Sequence, residues 1–200
     1  GNSSNFNLVN DLTKVFKANS SETIWSATES PYNTNFAYNF ILTSTPGVSA
    51  LSNQLVNTFE SGDLRKQNCI RTYTSGSKTY YYAFKYQLNS GAVQEYDILL
   101  RFAEQYLIRA EAQANGAGNG INGAISDLNL IRQRSGLASY SGILTKDAVL
   151  RAIAQERRVE LFTELGHRWM DLKRTGTINA VMDTTSIQKG SKWISTQQLY

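Results

Sequence analysis

The chain has 200 residues, of which 41% are hydrophobic and 18% are charged, and its formal net charge at pH 7 is +4. This length and composition fit one globular domain with a sizeable core. No run of five or six Lys or Arg is present, so the charge pattern does not indicate a nucleic-acid partner. Cys69 is the only cysteine, which excludes a disulfide framework and a thiolate metal cluster.

The first half of the chain, residues 1–95, is rich in Asn, Ser, Thr and aromatic residues, which is typical of loops and strands. From its patterns we predict a short helix at 7–18, a strand at 22–28, a loop at 30–40, a helix at 50–63 and a β-hairpin from Cys69 to Gln87. The hairpin prediction depends on two β-branched and aromatic arms, "CIRTYT" and "TYYYAFKYQ", which are linked by "SGSK".

Residues 96–176 change to Ala, Leu, Glu and Arg, with apolar residues at helical spacing. The predicted segments are a helix from Asp97 to Ala114, a turn at 115–120, a helix at 121–136, a helix from Thr145 to Leu165 and a helix at 167–176. We expect these helices to form two stacked hairpins of the tetratricopeptide type. The tail, residues 177–200, is predicted to be irregular.

The stretch "QERRVELFTELGHRWMDLKR" carries the densest charge of the chain. Glu156, Glu160 and Glu164 are spaced four apart and would form one row on a helix face. A glycoside hydrolase needs two carboxyls on opposite sides of the scissile bond, whereas one row can supply only one wall of a site. We therefore favour a structural ion-pair network over a catalytic pair, with Glu156, Glu160 and Arg168 buried and paired. The predicted network comprises Glu156, Arg157, Arg158, Glu160, Glu164, Arg168, Asp171 and Arg174.

His167 is the only histidine, so a site with two histidine ligands is excluded. The sequence also lacks the G-x-S-x-G elbow that would present a nucleophilic serine to this histidine. We predict no catalytic residue, no metal and no cofactor.

A segment of aromatic and amide residues, 25–40, is the candidate for ligand binding. Aromatic faces stack on apolar ligand surfaces, and Asn bonds hydroxyl groups as donor and as acceptor, a combination that suits sugars. The alternative is that these aromatic side chains pack into the core. The predicted ligand contacts are Trp25, Tyr32, Asn33, Asn35 and Tyr38.

Three segments occur in an order and spacing that resemble a known family: "LLRFAEQYLIRAEAQ", "AISDLNLIRQRSGL" and "AIAQERRVELFTELGHRWMDLKRTG". Together they resemble the C-terminal half of the SusD/RagB family, and "SETIWSA", "SGDLRKQNCI" and "YYYAFKYQ" resemble upstream segments of its pattern. The departures are an additional Leu165 before the glycine and Ser135 in place of the usual alanine.

The resemblance implies a mainly α fold of tetratricopeptide-like hairpins with irregular loops and a small β-hairpin, as a single domain over residues 1–200. It also implies a surface-exposed, lipid-anchored protein of the bacterial outer membrane, which binds a glycan without converting it. The implied partners are an oligosaccharide or polysaccharide and a SusC-like TonB-dependent transporter. We expect this chain to be the C-terminal portion of a larger protein.

Two other functions stay open from the sequence. One is a glycoside hydrolase that uses the helix-borne carboxylates, and the other is a helical-repeat module that binds a peptide or a protein. The sequence does not identify the ligand.

Overall fold

The computed structural model describes residues 5–27, 34–47, 49–188 and 190–199, with the backbone alone for residues 35, 188 and 199. The chain forms two compact units, Gly1–Glu160 and Leu161–Tyr200. Within the described ranges, no helix is both long enough and apolar enough to cross a membrane.

The first unit combines two small antiparallel sheets with six helices in its described part. Strand β1 pairs with β4, and β2 pairs with β3. The elements in chain order are β1 (Thr23–Ala27), α1 (Asn35–Phe40), α2 (Asn53–Val56), α3 (Leu64–Cys69), β2 (Ile70–Ser75), β3 (Lys78–Ala83), β4 (Asp97–Arg101), α4 (Phe102–Ala114), α5 (Gly120–Arg134) and α6 (Lys146–Glu160).

Helices α4 and α5 form the predicted antiparallel hairpin, and α6 packs against both. Their shared core is built from the apolar stripes of the sequence, including Leu107, Leu128, Ile131 and Ile153. The sequence "NGAGNG" makes the turn between α4 and α5, and its Gly116 has a φ of 104°, a backbone conformation that other residues rarely adopt. The predictions of the helical hairpin and of the β2–β3 hairpin are confirmed.

A second core lies under β4 and the N-terminal segment. The ring of Phe16 meets Tyr86 edge-on at 4.9 Å between centroids, and Phe36 stacks on the same Tyr86 at 5.3 Å. The Tyr86 hydroxyl accepts a hydrogen bond from the backbone N–H of Ile98 at 2.9 Å. Phe36 of the aromatic segment is therefore part of the core.

The second unit contains α7 (His167–Arg174), α8 (Ile178–Gln188) and a 3₁₀ helix over Ser195–Leu199. Helix α7 packs with α8, and Trp169 meets Trp193 edge-on at 6.1 Å. The indole N–H of Trp193 donates to Asn179 Oδ1 at 2.9 Å. Helix α8 and the 3₁₀ helix span most of the tail, so the prediction of an irregular tail is wrong.

Two helix boundaries differ from the sequence prediction. Residues 97–101 form strand β4, because pairing with β1 overrides the helical apolar pattern, and the helix begins at Phe102. Helix α6 ends at Glu160, five residues before the predicted end. The backbone beyond it leaves the helical region, with positive φ values of 58° at Thr163 and 40° at Leu165.

Two other segments of the first half also differ. Residues 11–16 form turns in place of the predicted helix, although Leu12, Val15 and Phe16 are buried as their spacing indicates. The predicted loop at 30–40 contains α1, whose first turn is capped by the Thr34 side chain accepting the Ala37 N–H at 3.1 Å.

Candidate functional site

Trp25 is the most exposed tryptophan in the described part of the chain, at 60% exposure. It lies on β1 opposite Leu100 of β4, which is 41% exposed, and the strand pairing is irregular on both sides of Trp25. Irregular pairing of this kind redirects a side chain and interrupts the regular ladder. Because opposed residues of an antiparallel pair share a face, Trp25 and Leu100 form one exposed apolar surface.

Tyr38 lies on α1 and is 77% exposed. Its neighbours Phe36 and Ala37 face the second core, so the helix presents Tyr38 to solvent while anchoring the opposite side. Asn35 is the first residue of this helix, and its backbone alone is described. Tyr32 and Asn33 lie outside the described residues, so the five predicted ligand contacts stay a prediction as a group.

The acids of the charged stretch have a different setting. Glu156 and Glu160 lie four residues apart on α6 and are only 2% and 4% exposed. They belong to a group of charged side chains that we call the buried ion cluster. Its members are Glu22, Glu60, Asp63, Arg65, Lys85, Arg101, Arg132, Arg134, Glu156 and Glu160. The five acids and five bases balance in formal charge.

Arg65 joins α3 to α6. Its Nε and Nη2 donate to the two carboxylate oxygens of Asp63 at 2.9 and 2.8 Å, a two-pronged pairing that fixes the plane of the guanidinium. Its Nη1 donates to Glu156 at 2.6 Å and to Glu160 at 3.0 Å. Asp63 also caps α3 by accepting the Arg65 backbone N–H at 2.9 Å.

Glu160 is the acid at which three arginines meet. Arg101 Nη1 donates to Glu160 Oε1 at 2.7 Å, and Arg134 Nη2 donates to the same oxygen. The backbone carbonyl of Glu160 accepts from Arg101 Nη2 at 2.9 Å and from Lys85 Nζ at 2.7 Å. Cations at the last carbonyl of α6 also complement the helix dipole.

Glu22 connects the cluster to the N-terminal segment. Its carboxylate accepts from Arg101 at 2.9 Å and from Arg134 at 2.7 Å, and also from the backbone N–H of Val9 at 3.0 Å. Glu22 has no exposed surface. One buried carboxylate therefore holds β4, α5 and the N-terminal segment together.

The two acids of α6 differ in their proton affinity. Burial raises the pKa of Glu160, but Arg134, Arg101 and Arg65 together outweigh this effect and hold its pKa well below the usual range. Burial also raises the pKa of Glu156, and there Arg65 offsets it only in part, so the pKa of Glu156 lies above its usual value. Glu160 is therefore the more firmly ionised of the two.

The structure supplies different cations from those expected within the charged stretch. The partners of Glu156 and Glu160 are Arg65, Arg101, Arg132 and Arg134, which come from other elements. Arg158 lies two residues from each acid and does not share their helix face, because residues two apart on a helix diverge. Arg157 is 3.9 Å from Glu104, and Arg158 has no ion-pair partner among the described residues.

The other predicted members of the network lie beyond the end of α6. Glu164 is buried in the segment between Glu160 and α7, so it does not continue the row of Glu156 and Glu160. Arg168 is partly buried, and Asp171 pairs with Arg174 within α7 at 2.8 Å.

The geometry of the buried ion cluster indicates a structural role. The carboxylates of Glu22, Asp63, Glu156 and Glu160 are enclosed and already bonded to arginines, so they leave no room for a sugar and a water between them, which glycoside hydrolysis requires. No group of three His, Cys, Asp or Glu side chains that could hold a metal ion occurs among the described residues. Within the first unit, the exposed side chains of Trp25 and Tyr38 are the better candidates for ligand contact.

Comparison with known proteins identifies the family of this chain. The model of the SusD family matches residues 16–196. The chain is similar to a SusD superfamily protein from Bacteroides vulgatus, with 22% identity, a TM-score of 0.69, and coverage of 92% of this chain and 47% of that one. It is also similar to surface glycan-binding protein A from Bacteroides thetaiotaomicron, with 21% identity, a TM-score of 0.74, and coverage of 98% and 52%.

The same glycan-binding protein has a structure in complex with laminarihexaose, which this chain matches at 22% identity and a TM-score of 0.72, covering 98% of this chain and 52% of that one. The chain thus spans about half the length of these solved structures. No curated protein sequence matches it. The family match extends over nine-tenths of the chain. It includes Glu22, Asp63, Arg65, Arg101, Arg134 and Glu160, and it begins after Val9. The chain therefore belongs to the SusD family.

Proposed function

We propose that this chain is part of a surface protein that captures a neutral oligosaccharide and passes it, unconverted, to a TonB-dependent transporter of the outer membrane. Membership of the SusD family and the laminarihexaose complex of a similar protein support glycan binding. The transporter, the lipid anchor and the cell-surface location are part of the proposal for the whole protein and rest on the family.

The observation that carries the proposal for this chain is the exposure of Trp25 and Tyr38. A tryptophan at 60% and a tyrosine at 77% exposure leave large aromatic faces in water, where they gain by stacking on the apolar face of a sugar ring. Trp25 is fixed on a strand and Tyr38 on a capped helix. Because their backbones are held, only the two side-chain torsions of each residue lose freedom when a ligand binds.

The glycoside hydrolase alternative receives no support from the carboxylates on which it depended. Glu156 and Glu160 are engaged with Arg65, Arg101, Arg132 and Arg134 inside the protein. We therefore propose a binding function without turnover. Incubation of the chain with an oligosaccharide panel is expected to leave every oligosaccharide intact, as measured by chromatography of the products.

Calorimetric titration with neutral oligosaccharides tests the proposal. We expect binding of at least one glycan, and a loss of about tenfold or more in affinity in Trp25→Ala, since a stacking aromatic contributes on the order of 1 kcal/mol beyond its buried area. Ile143→Ala is a matched control, because Ile143 is also a large exposed apolar residue, at 71% exposure.

The class of ligand that binds separates the glycan proposal from the alternative of a peptide-binding module. Both substitutions are on the surface and are expected to leave the thermal unfolding of the chain unchanged. If the chain binds peptides and no glycan, the peptide-binding module replaces the present proposal. If glycan binding is equal in Trp25→Ala and the unmodified chain, Trp25 is not a ligand contact.

A further inference from the structure

A cleft separate from Trp25 and Tyr38 lies between the N-terminal segment and the α4–α5 hairpin. Its volume is about 580 Å³, within the range of roughly 300–1,000 Å³ of small-molecule sites. Phe102 and Tyr106 of α4 and Leu130 of α5 form apolar parts of the lining, and Asn7 and Asn10 contribute amides from the N-terminal segment.

The aromatic part of the cleft is held in place by its neighbours. Tyr106 meets Phe102 edge-on at 5.0 Å, and Phe102 in turn contacts Phe6 at 6.4 Å. The guanidinium of Arg109 lies 5.1 Å from the centre of the Tyr106 ring, and Asp127 fixes that guanidinium with hydrogen bonds of 2.7 and 2.6 Å. The Tyr106 ring is thus oriented before any ligand arrives.

Several polar groups of the cleft are available for a ligand. Within the described part of the chain, the Tyr106 hydroxyl and the side-chain amides of Asn7 and Asn10 have no hydrogen-bond partner. Arg134 also lines the cleft, but its side chain is only 2% exposed and is already bonded to Glu22 and Glu160.

The electrostatic character of the cleft is neutral. Arg134 is the one lining side chain charged at pH 7, and it forms ion pairs with Glu22 and Glu160. A ligand with a net charge would find no counter-ion here, whereas a neutral molecule with hydroxyl groups and an apolar face would match the lining.

Both walls of the cleft are fixed by one residue of the buried ion cluster. Glu22 Oε2 accepts the backbone N–H of Val9 from the N-terminal segment and the guanidinium of Arg134 from α5. The Asn7 backbone N–H adds a bond of 3.0 Å to the Ser21 carbonyl, next to Glu22. These hydrogen bonds within the protein therefore hold the two walls of the cleft at a fixed separation.

We propose that this cleft is a second glycan subsite, which takes a neutral sugar unit against Phe102 and Tyr106 with its hydroxyls on Asn7 and Asn10. The inference rests on the proposed function, because it assumes that the ligand is a neutral oligosaccharide. It adds a contact site on the helical hairpin, away from the aromatic segment on which the sequence prediction concentrated.

Calorimetry of the unmodified chain and its variants with laminarihexaose, maltohexaose, cellohexaose and mannohexaose tests the subsite. For the best ligand, we expect affinity to fall about tenfold in Tyr106→Ala and roughly threefold in Asn10→Ala, as for the loss of a ring contact and of one hydrogen bond. Tyr106→Phe keeps the ring packing and is expected to lose about as much affinity as Asn10→Ala. Asn122→Ala, an exposed amide on α5 outside the cleft lining, is the matched control and is expected to bind as the unmodified chain does.

The outcomes separate the subsite from the proposed function. Affinity that is unchanged in Tyr106→Phe and Asn10→Ala, but reduced in Trp25→Ala, overturns the subsite and leaves glycan binding in place. Absence of binding to all four hexasaccharides overturns the proposed function and the subsite with it. Because Tyr106→Phe and Asn10→Ala alter only polar groups at the cleft, circular dichroism is expected to show that both fold as the unmodified chain does.

Discussion

Replacement of Glu160 by glutamine is the sharpest test of the buried ion cluster. The glutamine side chain has nearly the same shape, but it is neutral and presents an NH₂ group where a carboxylate oxygen accepts from an arginine. In the native chain, Glu160 accepts from Arg65, Arg101 and Arg134 while it is only 4% exposed. The substitution therefore removes the negative charge that three buried arginines share and turns one acceptor position into a donor.

The expected loss follows from this geometry. Removal of one partner from a buried ion pair costs about 3–5 kcal/mol, because the remaining charge stays desolvated. For a chain of this size, such a loss lowers the melting temperature by roughly 6–20 °C. Urea denaturation followed by helical circular dichroism measures the change in the free energy of unfolding.

Glu60→Gln is the matched control. Glu60 pairs with Arg132 through bonds of 2.6 and 3.0 Å, but its side chain is 50% exposed. Solvent screens such a pair, so the same chemical change is expected to cost at most about 1 kcal/mol. If Glu160→Gln destabilises the chain no more than Glu60→Gln does, burial of the cluster does not govern its contribution to stability, and the structural interpretation fails.

The remaining predictions concern acid stability and a glycine. Because the folded pKa of Glu160 is depressed below its ordinary 4.5, its stabilising contribution is complete above that pH and is lost as the pH falls through the folded pKa. Thermal melts in acid should therefore show the melting temperature falling below about pH 4.5, and less steeply in Glu160→Gln; an equal slope in both chains would contradict this assignment. Gly136→Ala is expected to cost about 1–3 kcal/mol in urea denaturation, because its φ is +75° and a Cβ would lie 2.9 Å from Leu64 Cγ. Gly62→Ala, with a φ of +83° and open space around it, isolates the backbone strain from the steric contact, and equal losses at the two glycines would exclude the contact with Leu64.

The sequence predicted the features that depend on local periodicity. The apolar stripes of α4 and α5 and the Gly-rich turn between them are local signals, and so are the two arms of the β2–β3 hairpin. The strand at 97–101 was missed because its apolar residues also fit a helical stripe that continues into α4, and only pairing with β1 distinguishes the two.

The site was less accessible to prediction than the fold. The acids of α6 were predicted to be paired, but their cations lie up to 95 residues away in sequence, and no local rule selects Arg65 over the adjacent Arg157. A usable signal was available in charged residues that adjoin apolar ones, such as Arg101, which follows Ile98, Leu99 and Leu100 directly before α4. The cleft was missed because its two walls are far apart in the chain.

The buried ion cluster is not explained by stability alone. Buried ion pairs often contribute no more than apolar residues of the same volume would, because desolvation offsets the attraction between the charges. What charged pairs add is direction, since a carboxylate accepts only where its lone pairs point. Glu22 meets Arg101 across 79 residues and Arg134 across 112 residues. Apolar contacts alone are less directional than these hydrogen bonds. A carboxylate that bonds both Val9 and Arg134 fixes their separation, and with it the width of the cleft in which we place the sugar.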